Sequence, residues 1–539
     1  MSADNSLPGG PLLDGPHDPE HHAGAAWALE PDYVANLTRR VLASGGRTHQ
    51  VFSPLDSAPV AEIPQSEAAD VAEAFARARR AQAAWARVPV RERAAMMLRL
   101  HDLVLDRQEE ILDLICLESG KARKHAFDEP LHIALTARHY ARNAERYLAP
   151  ERPAGVIPVL TQVEVNRVPK GVVGIIAPWN YPFTMALCDG LPALLAGNAV
   201  VSKPDAQTML SALLGAQLLE EAGFPADLWQ VVAGPGTEIG PEIISRADYI
   251  CFTGSTRTGK VIAAGCAERL IGCSLELGGK NPILVLRDAD VERAAEGAVR
   301  ASFSNAGQLC VSTERMFVAD QVYDRFVDRF VARTQAMSLG ASTEWGLDMG
   351  SLISPAQLRT VTEHVDDAVA QGAHVLAGGR ARPDLGPYVY EPTILEGVTP
   401  EMTCFAHETF GPVVSVYRFH DEAEAVDRAN DGQYGLNASV WTRDTARGRE
   451  VARRIKCGTV NVNEAFGASF ASIGAPMGGM RESGLGRRQG AEGIHRYTES
   501  QTVATQRLMR FAPMFGMSDA AYARTMTTSL RLMKKAGLR

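Results

Sequence analysis

The sequence predicts an α/β protein built on two parallel sheets covered by helices, with a small β arm. Three observations predict it. Short β-rich runs, VVGIIA (Val172–Ala177), AVVSK (Ala199–Lys203), WQVVAG (Trp229–Gly234) and YICFTGS (Tyr249–Ser255), alternate with helical segments ending at Gly197, Gly223 and Ala247. After Leu275 a second alternation carries ILVL, RMFV, PVVSVY and NASVWT to about Thr459. Between Pro158 and Pro169, Val159, Thr161, Val163, Val165 and Arg167 alternate with Leu160, Gln162, Glu164 and Asn166, the period of a strand with one polar face.

In chain order, residues 1–24 are rich in Gly, Pro, Asp and His without periodicity. Residues 1–46 as a whole are expected to be a disordered leader. From Arg47 to Leu148 the chain is expected to form a helical layer, because apolar residues recur at helical spacing from Ala68 through the RERAAMMLRLHDLVLDRQEEILDLICLESGK run and again over Leu131–Leu148. The Pro158–Pro169 strand interrupts two other regions and suits an arm that pairs elsewhere. Met477–Gly490 (MGGMRESGLGRRQG) is a glycine-rich loop, and Gln501–Ala504 a closing strand. The tail 506–539 is basic, with Tyr522, Met526, Leu530 and Met533 on one helical face. It is expected to be a surface or subunit-contact helix without membrane contact.

Bulk properties narrow the class. A chain of 539 residues buries large cores. A net charge of -8 excludes the basic surface that broad nucleic-acid binding needs. Eight scattered cysteines without a CxxC pair fit a reducing compartment, so the expected location is cytoplasmic and no metal site is expected. No apolar run reaches membrane-spanning length, and the N-terminus lacks the basic-then-apolar order of a signal peptide.

The chemistry-bearing residues fall at strand ends, where open α/β sheets bind ligands. ASFSNAGQLCVS (Ala301–Ser312) is a small-residue loop around one thiol, Cys310, after a helix over Val291–Arg300. Small neighbours let a substrate approach, as a nucleophile requires, although a lone cysteine is more often a small hydrophobe. ELGGKNP places Glu276 before a Gly-Gly turn, where desolvation would raise its pKa and suit it to activate water. PWNYP offers Trp179 as an apolar wall and Asn180 as an amide donor to an oxyanion. SKPDAQT ends a strand on Lys203, whose ammonium suits phosphate or ribose hydroxyls. FTGSTRTGK passes from strand to helix through Gly254 and Ser255, a turn suited to a pyrophosphate. ETFGPV adds Glu408 beside Phe410. The GxGxxG fingerprint is absent, and GPGTEIG carries its third glycine one place late.

PWNYP, ELGGKNP, the GQLC loop, ETFGPVV and APMGGMRESGLGR, in this order, resemble the aldehyde dehydrogenase family over about Arg47 to Thr505. The resemblance implies a cofactor-binding domain (47–148 and 170–275), a catalytic domain (276–476), a β oligomerisation arm (149–169 and 477–505), and an extension beyond it (506–539). It implies that Cys310 attacks the aldehyde, that Asn180 and the Cys310 N–H hold the oxyanion, and that Glu276 activates the water that hydrolyses the thioester. It also implies cofactor contacts from Trp179, Lys203, Gly254, Ser255, Glu408 and Phe410, and a homodimer or homotetramer acting on a small aldehyde without nucleic acid.

Two departures bear on specificity. Ala206 stands where NAD-preferring members carry a glutamate on the ribose hydroxyls, so NADP is expected ahead of NAD. The GQLCVS and SKPDAQT loops and the basic tail resemble a bacterial succinate-semialdehyde dehydrogenase subgroup, which makes succinate semialdehyde the leading substrate. Yet Cys188 and Ser304 occupy the positions of the two arginines that clamp its carboxylate in better-known enzymes. Ser469, Ser472 or Arg481 are the candidates to compensate, and a broad aliphatic or aromatic aldehyde is the rival. Ser312, two places after the thiol, leaves no second cysteine for a redox switch. Glu276 speaks against a CoA-acylating relative, the lack of a histidine in a comparable loop against a thiol hydrolase, and the three retained residues against a silent binding relative.

Overall fold

The computed structural model describes residues 29–156, 161–507 and 511–537. Two sheets organise it. The first runs, edge to edge, through Gly484–Leu485, Gly272–Glu276, Tyr249–Thr253, Val172–Ile176, Ala199–Lys203 and Trp229–Val231. All its neighbours are parallel except Gly484–Leu485, which is antiparallel to Gly272–Glu276. The second runs through His374–Ala377, Thr393–Glu396, Val413–Phe419, Thr313–Ala319, Asn281–Val285, Asn437–Trp441 and Thr459–Val462. It is parallel apart from the antiparallel His374–Ala377 edge.

The central strands explain why these segments fold as they do. Ala199–Lys203, Asn281–Val285 and Asn437–Trp441 are buried along their whole length. Helices cover both faces of such strands, so their apolar runs are continuous rather than alternating. The parallel strands of the first sheet end at Glu276 and the second sheet begins at Asn281. The few residues between them cross from one sheet to the other, and the candidate site lies there.

Three expectations are corrected. Residues 1–28 of the expected leader lie outside the described residues, but 29–46 are not disordered. Pro31–Thr38 is a helix opened by Pro31, its Leu37 is fully buried, and Leu42 N donates to the Val231 carbonyl at 2.9 Å, extending the first sheet's edge. Next, the helical layer begins later than Arg47. Thr48–Phe52 and Pro59–Pro64 form an antiparallel hairpin that buries Val51, Ala61 and Ile63, and the layer's helices start at Ala68. Finally, 477–505 is not one arm. Gly484–Leu485 joins the first sheet and Met477 pairs with Arg488, so 477–490 packs against the core, while Thr498–Gln506 pairs with Thr161–Pro169 as an exposed two-stranded ribbon.

The tail helix, Asp519–Lys535, has no buried residue, and Leu530 on its apolar face is exposed. No helix among the described residues is long and apolar enough to cross a membrane.

Because Leu37 fills a core position, Leu37→Ala is expected to cost about 2–5 kcal/mol, read as a lower urea midpoint. A disordered leader would lose nothing.

Candidate active site

The loop that presents Cys310 is set by backbone strain and fixed by hydrogen bonds. The helix Val291–Phe303, capped by the Asp290 side chain, stops at Ser304. Asn305, Ala306 and Gly307 then take three successive left-handed conformations. Gly307 is required here, since a Cβ would stand 2.0 Å from the Gly411 carbonyl oxygen. Beyond the turn, the Gln308 side chain accepts from Ile353 N (2.9 Å). Asn281 Nδ2 donates to the carbonyls of Cys310 (2.8 Å) and Ser312 (2.7 Å). The expected nucleophile therefore sits on a braced backbone, and burial pushes its thiol up to about 12.

Asn180 reaches the same loop. Its Nδ2 donates to the Gln308 carbonyl at 3.0 Å, and its own carbonyl accepts from Asn305 Nδ2 at 3.1 Å. The PWNYP turn is held from behind by a buried Lys121–Glu129 pair: Glu129 Oε2 accepts from Thr184 N (2.9 Å), and Lys121 Nζ lies 3.6 Å from the Tyr181 ring centre.

Glu276 ends its strand with 5% of its surface exposed. Its Oε1 has no partner, and burial raises the carboxyl to about 7. A Cβ on Gly478 would come within 2.9 Å of that oxygen, so the glycine-rich loop leaves it room. Glu408 Oε1 accepts from Gly279 N at 2.8 Å, and burial lifts its carboxyl to about 8. Phe410 takes a left-handed conformation and meets Trp179 edge-on at 5.6 Å between ring centres. Both backbone amides of Thr409 and Phe410 donate to Glu314, which is paired with Lys280 in the core.

These side chains line one cavity of about 270 Å³. Trp179, Asn180, Gly254, Ser255, Glu276, Cys310, Glu408 and Phe410 all border it, eight of the nine residues expected from the sequence. The ninth, Lys203, lies at the neighbouring strand end, where its buried Nζ makes one long contact with the Pro204 carbonyl (3.4 Å). A larger cavity of about 710 Å³ lies by Tyr33 and Arg123 and holds no thiol, so size does not locate the chemistry.

The compensating residues are corrected too. Arg481 is spent on the carbonyls of Asn430 and Gly432 (2.7 Å each) at the surface. Ser469 and Ser472 donate to Phe466 and Ala468 carbonyls of their own turn, and it is Phe470 that faces the cavity. The cation on the cavity wall is Arg488. Sequence reasoning missed it, along with Lys280 and Glu314. Arg488 stood in view in GLGRRQG, but nothing in the spacing separates it from a surface arginine.

The aldehyde dehydrogenase family model matches residues 41–503. The chain belongs to the aldehyde dehydrogenase family. A Mycolicibacterium smegmatis protein named "Putative succinate-semialdehyde dehydrogenase, NADP(+)" is 52% identical over 473 residues, 88% of this chain and 92% of the relative. A crystal structure of succinate-semialdehyde dehydrogenase from Burkholderia pseudomallei superposes with a TM-score of 0.82 at 36% identity, covering 86% of this chain and 95% of that one. An E. coli NADP-dependent enzyme superposes at 0.84 and 34% identity, covering 88% and 99%. As a member of this family, the chain oxidises an aldehyde to the acid.

Gly307→Ala is expected to shift the thiol loop and lower kcat/KM by about 100-fold with the fold retained, measured by steady-state kinetics beside a circular-dichroism spectrum.

Proposed function

We propose that this aldehyde dehydrogenase oxidises succinate semialdehyde to succinate with NADP, through a thioester on Cys310. The observation that carries the mechanism is the convergence of Cys310, Asn180 and Glu276 on one cavity with few polar walls. The Cys310 sulfur adds to the aldehyde carbon to give a thiohemiacetal. The Asn180 amide and the Cys310 N–H would hold the negative charge that collects on oxygen, a stabilisation that a largely apolar cavity strengthens. The nicotinamide, when bound, supplies the hydride acceptor that converts the thiohemiacetal to the thioester. Glu276 then takes a proton from water as the water attacks the thioester carbon, and the Cys310 sulfur leaves.

The residues present fit a nicotinamide dinucleotide. Lys203 Nζ is a buried cation with one long contact, to the Pro204 carbonyl, which suits a 2′-phosphate. Ala206 adds no carboxylate there, and the neighbouring Asp205 is engaged with Gln207 N (3.0 Å). Ser255 caps the helix Thr256–Glu268, whose N-terminus faces the cavity and would take the pyrophosphate, with Trp179 and Gly254 alongside. Glu408 and Phe410 would hold the nicotinamide ribose.

Succinate semialdehyde is supported by the names of relatives near 50% identity and by the cation Arg488 on the wall. A second reading, a broad aliphatic or aromatic aldehyde, is favoured by Leu277, Leu309, Phe470 and Met477 around the cavity and by the absence of arginine at 188 and 304. The domain reading places cofactor binding on 47–148 and 170–275 and catalysis on 276–476. The exposed ribbon of Thr161–Pro169 and Thr498–Gln506, with Val168 and Val503 outward, suits subunit contact in a homodimer or homotetramer. The cysteines described here are all free, as a cytoplasmic enzyme would keep them.

An aldehyde panel with NADP and NAD decides the substrate. Succinate semialdehyde with NADP is expected to give the highest kcat/KM, and equal or better rates on hexanal or benzaldehyde sink that name. Glu276 decides the second step. Raised from its ordinary 4.5 to about 7, it is carboxylate above that pH and inactive as a base below it. Thioester hydrolysis is therefore expected to rise with pH through about 7. Glu276→Gln is expected to give one burst of reduced cofactor and then stall, and steady turnover in that variant removes Glu276 from the role.

A further inference from the structure

The cavity gathers four groups that carry negative charge when ionised, Cys310, Glu276, Glu408 and Tyr181, among mostly apolar walls. Ionising one opposes the next, and a catalytic thiolate beside a carboxylate base needs a compensating cation. Among the described residues that line the cavity, one is cationic: Arg488. Neither lysine nor histidine joins it.

Arg488 is built into place. Its backbone pairs with Met477, N to O at 2.7 Å and the reverse at 2.8 Å. Its Nη2 donates to Asp189 Oδ2 (2.9 Å) and Thr253 Oγ1 (3.0 Å), and Nη1 rests against Met185 Sδ (3.4 Å). Its Nε is buried without a partner. Asp189 does not neutralise it alone, because the other carboxylate oxygen accepts from Arg496 Nη2 at 2.6 Å. Two guanidiniums thus share one buried carboxylate and leave one net positive charge. The remaining titratable neighbours cancel nothing. Burial holds Cys188 as a thiol and His132 as a neutral imidazole on the Asp189 side. Burial keeps Tyr181, on the cavity wall, a phenol. Lys280 is paired with Glu314 behind Glu408, and Arg487 is turned to the carbonyls of Gly479 and Gly486.

We infer that Arg488 is the positioning cation of the active site: gripped by Asp189 and Thr253, its guanidinium supplies the positive field that lets the Cys310 thiolate and the Glu276 carboxylate exist together in the cavity. The proton of Cys310 passes to solvent water, and the field does not fade with pH because a guanidinium is not deprotonated in proteins. This takes the place that a histidine holds in a thiol hydrolase, with a fixed charge instead of a titrating one. The inference rests on Cys310 being the nucleophile.

The test uses the full-length protein and Arg488→Met, Arg488→Gln and Arg488→Lys. Iodoacetamide labelling of Cys310 at fixed pH from 7 to 10, followed by peptide mass spectrometry, reports the thiolate fraction as a rate constant, because this range lies below the thiol's midpoint of about 12, and kcat and KM are measured over the same range. The neutral variants are expected to label about tenfold more slowly or worse at each pH, the loss of thiolate that a one-unit rise of the midpoint brings. Their kcat is expected to fall at neutral pH and recover as pH rises. Arg488→Lys, which keeps the charge, is expected to label at a rate nearer wild type than either neutral variant. Should Arg488→Met fail to fold, the Gln and Lys pair carries the same comparison. Labelling rates equal to wild type in folded neutral variants, whatever their melting temperature, overturn the inference and leave Arg488 a structural strut. Cys310→Ala separates the two readings: turnover surviving in that variant removes the nucleophile itself, whereas Arg488 fails with Cys310 still reactive.

Discussion

Concentrating ionisable groups in a largely apolar cavity is the constraint on which the rest of the site depends. Burial holds Cys310, Glu276 and Glu408 well above their ordinary pKa values. The same low polarity makes every fixed donor and charge around them count for more than it would in water. A site of this kind is useful only if its geometry is imposed from outside, because the reacting groups themselves repel.

The imposition comes from two sheets meeting end to end. Glu276 closes a strand of the first sheet, and Asn281 opens a strand of the second while gripping the Cys310 and Ser312 carbonyls. The thiol loop therefore belongs to both sheets at once. Its left-handed turn at Asn305–Gly307 is strain that a free peptide would release, and the Gln308, Asn180 and Asn281 hydrogen bonds hold it.

Behind this first layer lie buried ion pairs. Lys121–Glu129 supports the Asn180 turn, Lys280–Glu314 supports the Phe410 turn, and Asp189 with Arg488 and Arg496 supports the glycine-rich loop. Each pair is desolvated, so its worth as net stability is small against well-packed apolar residues. Its geometric value is larger: removing one partner would strand a buried charge, and that penalty keeps each loop in a single position. Three of the loops brought to the cavity have such an anchor, whereas hydrogen bonds hold the thiol loop.

By itself the sequence determined the α/β alternation, the strand ends that carry chemistry, and eight of the residues that border the cavity, Lys203 being the one expected there that does not. Those features are local: a β-branched run, a glycine turn or a proline pair acts on its own neighbours in the chain. It missed the Pro31–Thr38 helix and the Thr48–Pro64 hairpin, short elements whose weak periodicity is rescued by docking Leu37, Val51 and Ile63 into a core supplied from elsewhere. The tertiary structure alone decided that Arg481 faces solvent while Arg488, seven places on, faces the thiol. It also decided which acid holds Lys121, Lys280 and Arg488. The reason is physical: a charge's role depends on what surrounds it in three dimensions, and Asp189 and Thr253 reach Arg488 from distant parts of the chain.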